Sequence, residues 1–119
     1  MVKIDIIGAS TAFGQPKLGV SLGPDAVRFS GLNDKLTELG HDVNDKGNVY
    51  GKFKTGADHQ RTKDKEGLIN LEQVRDFSTH LAKEVSSTLK NDRLPFIIGG
   101  DHSLSIGSIS GVAEHYSNL

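Results

Sequence analysis

The sequence predicts an α/β domain built on a parallel sheet with helices on both faces, and three observations carry that prediction. Segments of strand pattern alternate with segments of helix pattern along the 119 residues, in the order βα, then β, then αβα. Strands separated by helices pair in parallel, because the crossover returns the chain to the same end of the sheet. Glycines follow the first and last strand patterns, at Gly8 and at Gly99-Gly100, where strand-to-helix turns need tight backbone. No repeat or low-complexity tract interrupts this order. In such sheets ligands bind beyond the carboxyl ends of the strands, a rim to which the stretches Gly8 to Gly23 and Gly99 to Ser103 both belong.

Each element has its own signal. Lys3-Ile4-Asp5-Ile6-Ile7 alternates polar and apolar and closes at Gly8, as a strand does. Gly8, Gly14, Gly19 and Gly23 with Pro16 make the following stretch a loop. Pro24 suits the first turn of a helix, and Val27, Leu32, Leu36 and Leu39 then recur at helical spacing until Gly40. His41 to Asp45 reads as a short strand, polar enough for a sheet edge. The polar, glycine-containing stretch from Lys46 to Gly67 reads as a loop, unusually long for a compact domain. Asn70 is placed to cap the next helix with Gln73 in the capping-box position, ahead of Leu71, Val74, Leu81, Val85 and Leu89. That helix should end near Asn91. Leu94-Pro95-Phe96-Ile97-Ile98 reads as a short buried strand. Ile106, Ile109, Ala113 and Tyr116 mark a last helix starting near Ser103.

Composition narrows the function classes. Fourteen Lys plus Arg against 15 Asp plus Glu leave a formal charge of −1, which removes the electrostatic argument for nucleic acid or an anionic membrane as partner. No apolar run approaches the roughly 18 to 20 residues that span a bilayer. Asp5 interrupts any leader-like apolar core, so the expected location is cytoplasmic. The chain has no cysteine, which excludes disulfides, thiolate zinc sites and cysteine nucleophiles. Any metal must be held by His and carboxylates, a donor set that suits Mn or Mg.

The most informative stretch is Gly99-Gly100-Asp101-His102-Ser103. Two glycines let the backbone turn sharply out of a strand and present His102 at the rim between a carboxylate and a hydroxyl. A neutral imidazole is a good metal ligand when its second nitrogen is oriented by an acceptor, here Asp101 or a backbone carbonyl. The plainer reading is that Asp101 and Ser103 cap the last helix and His102 is a partly buried turn residue. Anion binding at that helix start is a third reading, opposed by the Asp101 charge and the lack of a P-loop lysine. His41, His59, His80 and His115 show no metal-ligand spacing and read as solvated side chains, as do the charges of Lys63 to Glu66 and Lys90 to Arg93. Arg28 pairs with Asp25 one turn away, or reaches a more distant carboxylate to fix the glycine-rich loop.

Ile7-Gly8-Ala9, Gly14-Gln15-Pro16, Gly19-Val20, Gly23-Pro24 and Arg28, followed by Gly99-Gly100-Asp101-His102-Ser103-Leu104-Ser105-Ile106-Gly107, closely resemble the N-terminal part of the arginases, in the ureohydrolase family. The resemblance covers roughly residues 3 to 45 and 70 to 119. Gly14 to Val20 looks like an arginase more than an agmatinase-like member. The resemblance implies a three-layer αβα fold with a parallel sheet, present here as an incomplete N-terminal portion: residues 1–119 form part of a single domain, with no internal boundary and a variable polar loop at 46–69. It implies two Mn2+ ions bridged by a hydroxide that attacks the guanidinium carbon of L-arginine, giving ornithine and urea. His102 corresponds to a terminal ligand of one ion, Gly99 and Gly100 shape its turn, and Asp101 and Ser103 support it.

The other ligands, including an Asp-x-His-x-Asp motif, and the proton-shuttling and substrate-gripping residues are expected beyond Leu119. The chain alone should then be inactive, bind Mn2+ weakly or not at all, and expose an unpaired sheet edge at its last strand. A homo-oligomer is the expectation for the complete enzyme. An agmatinase-like or formimidoglutamase-like hydrolase, or a non-catalytic interaction module derived from the family, are the alternatives.

Overall fold

A computed structural model describes residues 1–13, 18–50 and 70–117. Its elements are β1 (Lys3–Ser10), a 3-10 turn (Leu18–Leu22), α1 (Gly23–Phe29), α2 (Leu32–Glu38), β2 (Asp42–Tyr50), α3 (Leu71–Lys90), β3 (Leu94–Gly99) and α4 (Leu104–His115). The three strands are parallel in the order β2-β1-β3. β1 is central and buried from Ile4 to Ser10. Its side chains alternate between two cores because successive residues of a strand face opposite ways. Ile7 and Ala9 meet Phe77, Leu81 and Val85 of α3. Ile4 and Ile6, with Ile98 of β3, meet Leu32 and Leu36 of α2. Helices therefore cover both faces, giving the three layers.

α4 lies against α3 through its glycines. A Cβ on Gly107 would stand 2.6 Å from the Ser78 carbonyl oxygen, and one on Gly111 2.6 Å from that of Ala82. The expected stripe of Ile106, Ile109, Ala113 and Tyr116 is instead the outer side of the helix, with Ile106 and Ile109 more than half exposed. Leu104 and Val112, on either side of the two glycines in the sequence, reach the core. Apolar periodicity misassigned the face because the residues that let two helix backbones approach closely carry no side chain.

Several boundaries also move. β1 runs past Gly8 to Ser10. The helix expected from Pro24 to Gly40 is two helices, broken where Gly31 takes φ 95°. Only Leu32 and Leu36 of its expected stripe reach the core; Val27 and Leu39 stay exposed. β2 extends through Lys46 to Tyr50, residues expected in the loop. Its register against β1 shifts between Ile6 and Gly8, and Gly47 supplies the positive φ of 78° at that irregularity. Asn70 does not cap α3 with its side chain: it sits at φ 53° and its amide donates to the Phe13 carbonyl at 3.1 Å. β3 is half-open, with Leu94 50% and Phe96 38% exposed, because only β1 flanks it among the described residues. Gly14 to Lys17 and residues 51–69, with the histidine and charge cluster expected there, lie outside the described residues.

Two arginines tie the sheet together. Arg93, expected to be solvated, donates through Nε to Asp5 at 2.5 Å and through Nη1 to Asp42 at 3.0 Å, so it joins the starts of β1 and β2 to the α3–β3 turn. Arg28 fulfils both of its expected pairings. It meets Asp25 at 3.3 Å, and its Nε and Nη2 grip both Asp45 oxygens at 2.8 Å. What it fixes is the irregular end of β2, through the Gly47 carbonyl at 3.0 Å and the Asn48 side chain.

These pairs make stability acid-sensitive. Burial pushes the Asp45 carboxyl up, but hydrogen bonds from Arg28, Asn33 and the Gly47 N–H outweigh it and bring the group down to about 2. Burial likewise raises Asp5, and Asn44, Arg93 and Thr88 together bring it below its ordinary value. A carboxylate whose folded value lies below its unfolded one stabilises the fold above about pH 4, and that contribution is lost as pH falls toward 2. Urea midpoints measured from pH 5 down to pH 2 should therefore fall, and more gently for Asp45→Asn; an identical slope in that variant would contradict the assignment.

Candidate functional site

The candidate site is the turn that follows β3, and its position is set by backbone contacts with the end of β1. The Gly100 N–H donates to the Ala9 carbonyl at 3.2 Å and the Asp101 N–H to the Thr11 carbonyl at 3.1 Å, while the Thr11 N–H turns back to Ala9 at 2.9 Å. Only glycine fits at position 100. A Cβ there would lie 2.6 Å from the Ala9 oxygen and closer still to that of Thr11. On the other side, a Cβ on Gly23 would meet the Gly99 oxygen at 2.6 Å. The start of α1, the end of β1 and the turn after β3 are thus pressed together at the carboxyl rim.

Asp101 is 8% exposed, and its Oδ1 accepts the Ser103 N–H at 2.8 Å as well as the Ser103 hydroxyl. This closes the turn and leads into α4, whose first bonds are Leu104 N–H to Asp101 O at 3.3 Å and Ser105 N–H to His102 O at 3.1 Å. Ser103 makes no side-chain capping bond itself. The anion reading meets the obstacle expected of it, since Asp101 takes the Ser103 N–H that an anion would need. His102 is exposed, not partly buried. Its main chain is held from both sides and its imidazole is presented to solvent at the rim, the side on which ligands bind in sheets of this kind.

The structure thus brings Gly99, Gly100, Asp101, His102 and Ser103 into one fixed turn. No group of three His, Asp or Glu side chains that could hold a metal ion occurs among the described residues. His41 accepts the Val2 N–H at 3.3 Å, and His115 stacks edge-on against Tyr116 with ring centroids 4.7 Å apart; neither is brought to His102's turn. The supports that pattern reading missed are the carbonyls of Ala9 and Thr11. Main-chain acceptors leave no residue signature.

A parallel sheet covered by helices on both faces, with a glycine turn that carries an exposed imidazole at its carboxyl rim, defines an α/β protein with a candidate site at that rim. The family model described as the arginase family matches residues 2–119. The chain is 46% identical over 116 residues to an arginase of Staphylococcus aureus (strain MRSA252) and 34% identical to that of Bacillus subtilis (strain 168), covering 98% of this chain in each case. Its fold superimposes on the crystal structure of Bacillus caldovelox arginase with a TM-score of 0.85 at 34% identity, covering 98% of this chain and 38% of that one. For the Bacillus subtilis arginase structure the TM-score is 0.82 at 31% identity. The chain belongs to the arginase family. It spans 38% of the length of the Staphylococcus aureus relative and 37% of the Bacillus subtilis one. No helix among the described residues is long and apolar enough to cross a membrane.

Proposed function

We propose that these 119 residues form the part of a manganese-dependent ureohydrolase that presents one metal ligand, His102, in an enzyme that converts L-arginine and water to L-ornithine and urea. One observation carries the reading. The Gly99–Ser103 turn is fixed by main-chain bonds to Ala9 of β1 and to Thr11 just after it, and it presents an exposed His102 side chain at the rim, in a chain of the arginase family. A guanidinium carbon is a resonance-stabilised, poor electrophile, and manganese ions, when bound, supply the ionised water that its hydrolysis needs. Gly99 and Gly100 give the turn its shape, and Asp101 with Ser103 holds it closed, so the imidazole is placed before any metal arrives. The substrate is then a small molecule, the complete enzyme a homo-oligomer, and the compartment the cytoplasm, where a cysteine-free chain loses nothing to reduction.

One imidazole does not fit either ion by itself, since affinity comes from several donors placed together. The 119-residue polypeptide should therefore give no urea from arginine above a protein-free control and only weak heats on titration with Mn2+. Robust turnover by the chain alone would contradict this. Joined to the rest of the Staphylococcus aureus arginase, in place of the 116 residues it matches, it should support manganese-dependent urea release.

A further inference from the structure

The turn that carries His102 hangs from two carbonyls of unequal firmness. Ala9 belongs to β1, where the ladder to β3 fixes it opposite Gly99. Thr11 lies past the end of β1 at Ser10, yet its carbonyl takes the Asp101 N–H at 3.1 Å. A carbonyl outside a strand holds its partner only as firmly as its own segment is held. Here side chains hold that segment at both ends. The Ser10 hydroxyl donates to the Ser21 carbonyl at 2.5 Å, and the Asn70 amide donates to the Phe13 carbonyl at 3.1 Å, while the Phe13 N–H turns back to the Thr11 hydroxyl at 3.4 Å.

Asn70 is the unusual member of this set. It stands immediately before α3, where an asparagine ordinarily caps its own helix, but its side chain makes no capping bond and instead reaches Phe13, 57 positions earlier in the chain. It does so from φ 53° and ψ 36°, the left-handed conformation that asparagine visits more readily than most side chains. Two demands therefore meet at position 70, a positive φ and a buried amide donor. Glycine meets only the first, and so does an ionised aspartate, which accepts hydrogen bonds but donates none. Asn70, Phe13, Thr11 and Asp101 are all buried, so every link from α3 to the turn is interior. We propose that Asn70 is a positioning residue for His102: by pinning Phe13 it steadies the Thr11 carbonyl, and through that carbonyl the main chain of Asp101 and His102. Its bearing on metal binding rests on the reading of His102 as a ligand.

Asn70→Asp and Asn70→Gly both remove the donor and keep a residue that tolerates positive φ, so α3 still starts where it does. In the metal-free fusion with the Staphylococcus aureus arginase, hydrogen exchange read residue by residue should be at least about tenfold faster at Asp101 in both variants. It should stay parent-like at Gly100, which bonds to Ala9, and at Ile6 and Leu81 in the cores of β1 and α3. Both variants should also bind Mn2+ about three- to tenfold more weakly by calorimetry. A parent-like glycine variant would show that position 70 serves backbone conformation alone and would overturn the proposal. So would parent-like exchange at Asp101, acceleration shared equally by Ile6 and Leu81, or unchanged Mn2+ affinity in a fusion whose binding His102→Ala does weaken. Failure of His102→Ala to weaken binding would overturn the ligand reading instead, and exchange at Asp101 would then decide the link to Asn70 by itself.

Discussion

Replacing Arg93 by alanine is expected to lower the melting temperature of the fold by more than about 10 °C. Asp5 lies in the central strand, 3% exposed, and its carboxylate is held there by Arg93 at 2.5 Å, Thr88 at 2.9 Å and Asn44 at 3.1 Å. The alanine variant keeps the buried charge and removes its counterion, which is the costly way to break such a pair. It also frees the Ile4 and Asp42 carbonyls that Arg93 Nη2 meets at 2.9 and 3.0 Å. The deficit should shrink at low pH, because protonating Asp5 relieves the uncompensated charge, and Asp5→Asn in the same background should recover part of it. Lys35→Ala provides the contrast. Its pairing with Glu38 is 3.7 Å long between side chains 72% and 68% exposed, and exposed pairs of that kind contribute little. Equal melting temperatures for the Arg93 and Lys35 variants would refute the account of the sheet's polar core.

Gly100→Ala should damage the site as well as the fold. Its added methyl meets two backbone oxygens, those of Ala9 and Thr11, and neither can rotate away as a side-chain tip would. The turn must part from β1, at an overpacking cost of about 1–3 kcal/mol. His102 moves with it. In the fusion with the Staphylococcus aureus arginase, a displacement of about 1 Å at a metal ligand should lower urea release about 100-fold. Gly19→Ala, where an added Cβ meets nothing within 4 Å among the described residues, should leave both stability and urea release close to those of the parent. A Gly100→Ala chain as stable and as active as the Gly19 variant would show that the turn is not held as described.

The sequence reveals local features well and pairings across the sheet poorly. Strand-and-helix alternation, the glycine exit of β3 and the turn bearing His102 all lie within a few consecutive residues, and each appears in the structure close to where its pattern puts it; Gly8 is the exception, because β1 continues through it to Ser10. The pattern misleads where a long-range contact decides. Arg93 looks like solvated loop charge until β1 brings Asp5 beneath it. The polar letters of Lys46 to Tyr50 read as loop, yet they lengthen β2 because Arg28 grips Asp45 and the Gly47 carbonyl. The inner face of α4 was invisible to apolar periodicity because Gly107 and Gly111 form it. In the site itself the residue identities were readable and the anchoring was not, since Ala9 and Thr11 contribute only main-chain oxygens.

The central claim is that this turn exists to present His102 to a metal ion. Its most direct test is manganese binding by the fusion enzyme with and without His102→Ala, read by calorimetry on metal-free protein. The account predicts that the variant folds as the parent does, because the imidazole is exposed, and binds Mn2+ at least about 10- to 100-fold more weakly. Parent-like affinity in the His102→Ala fusion would contradict it.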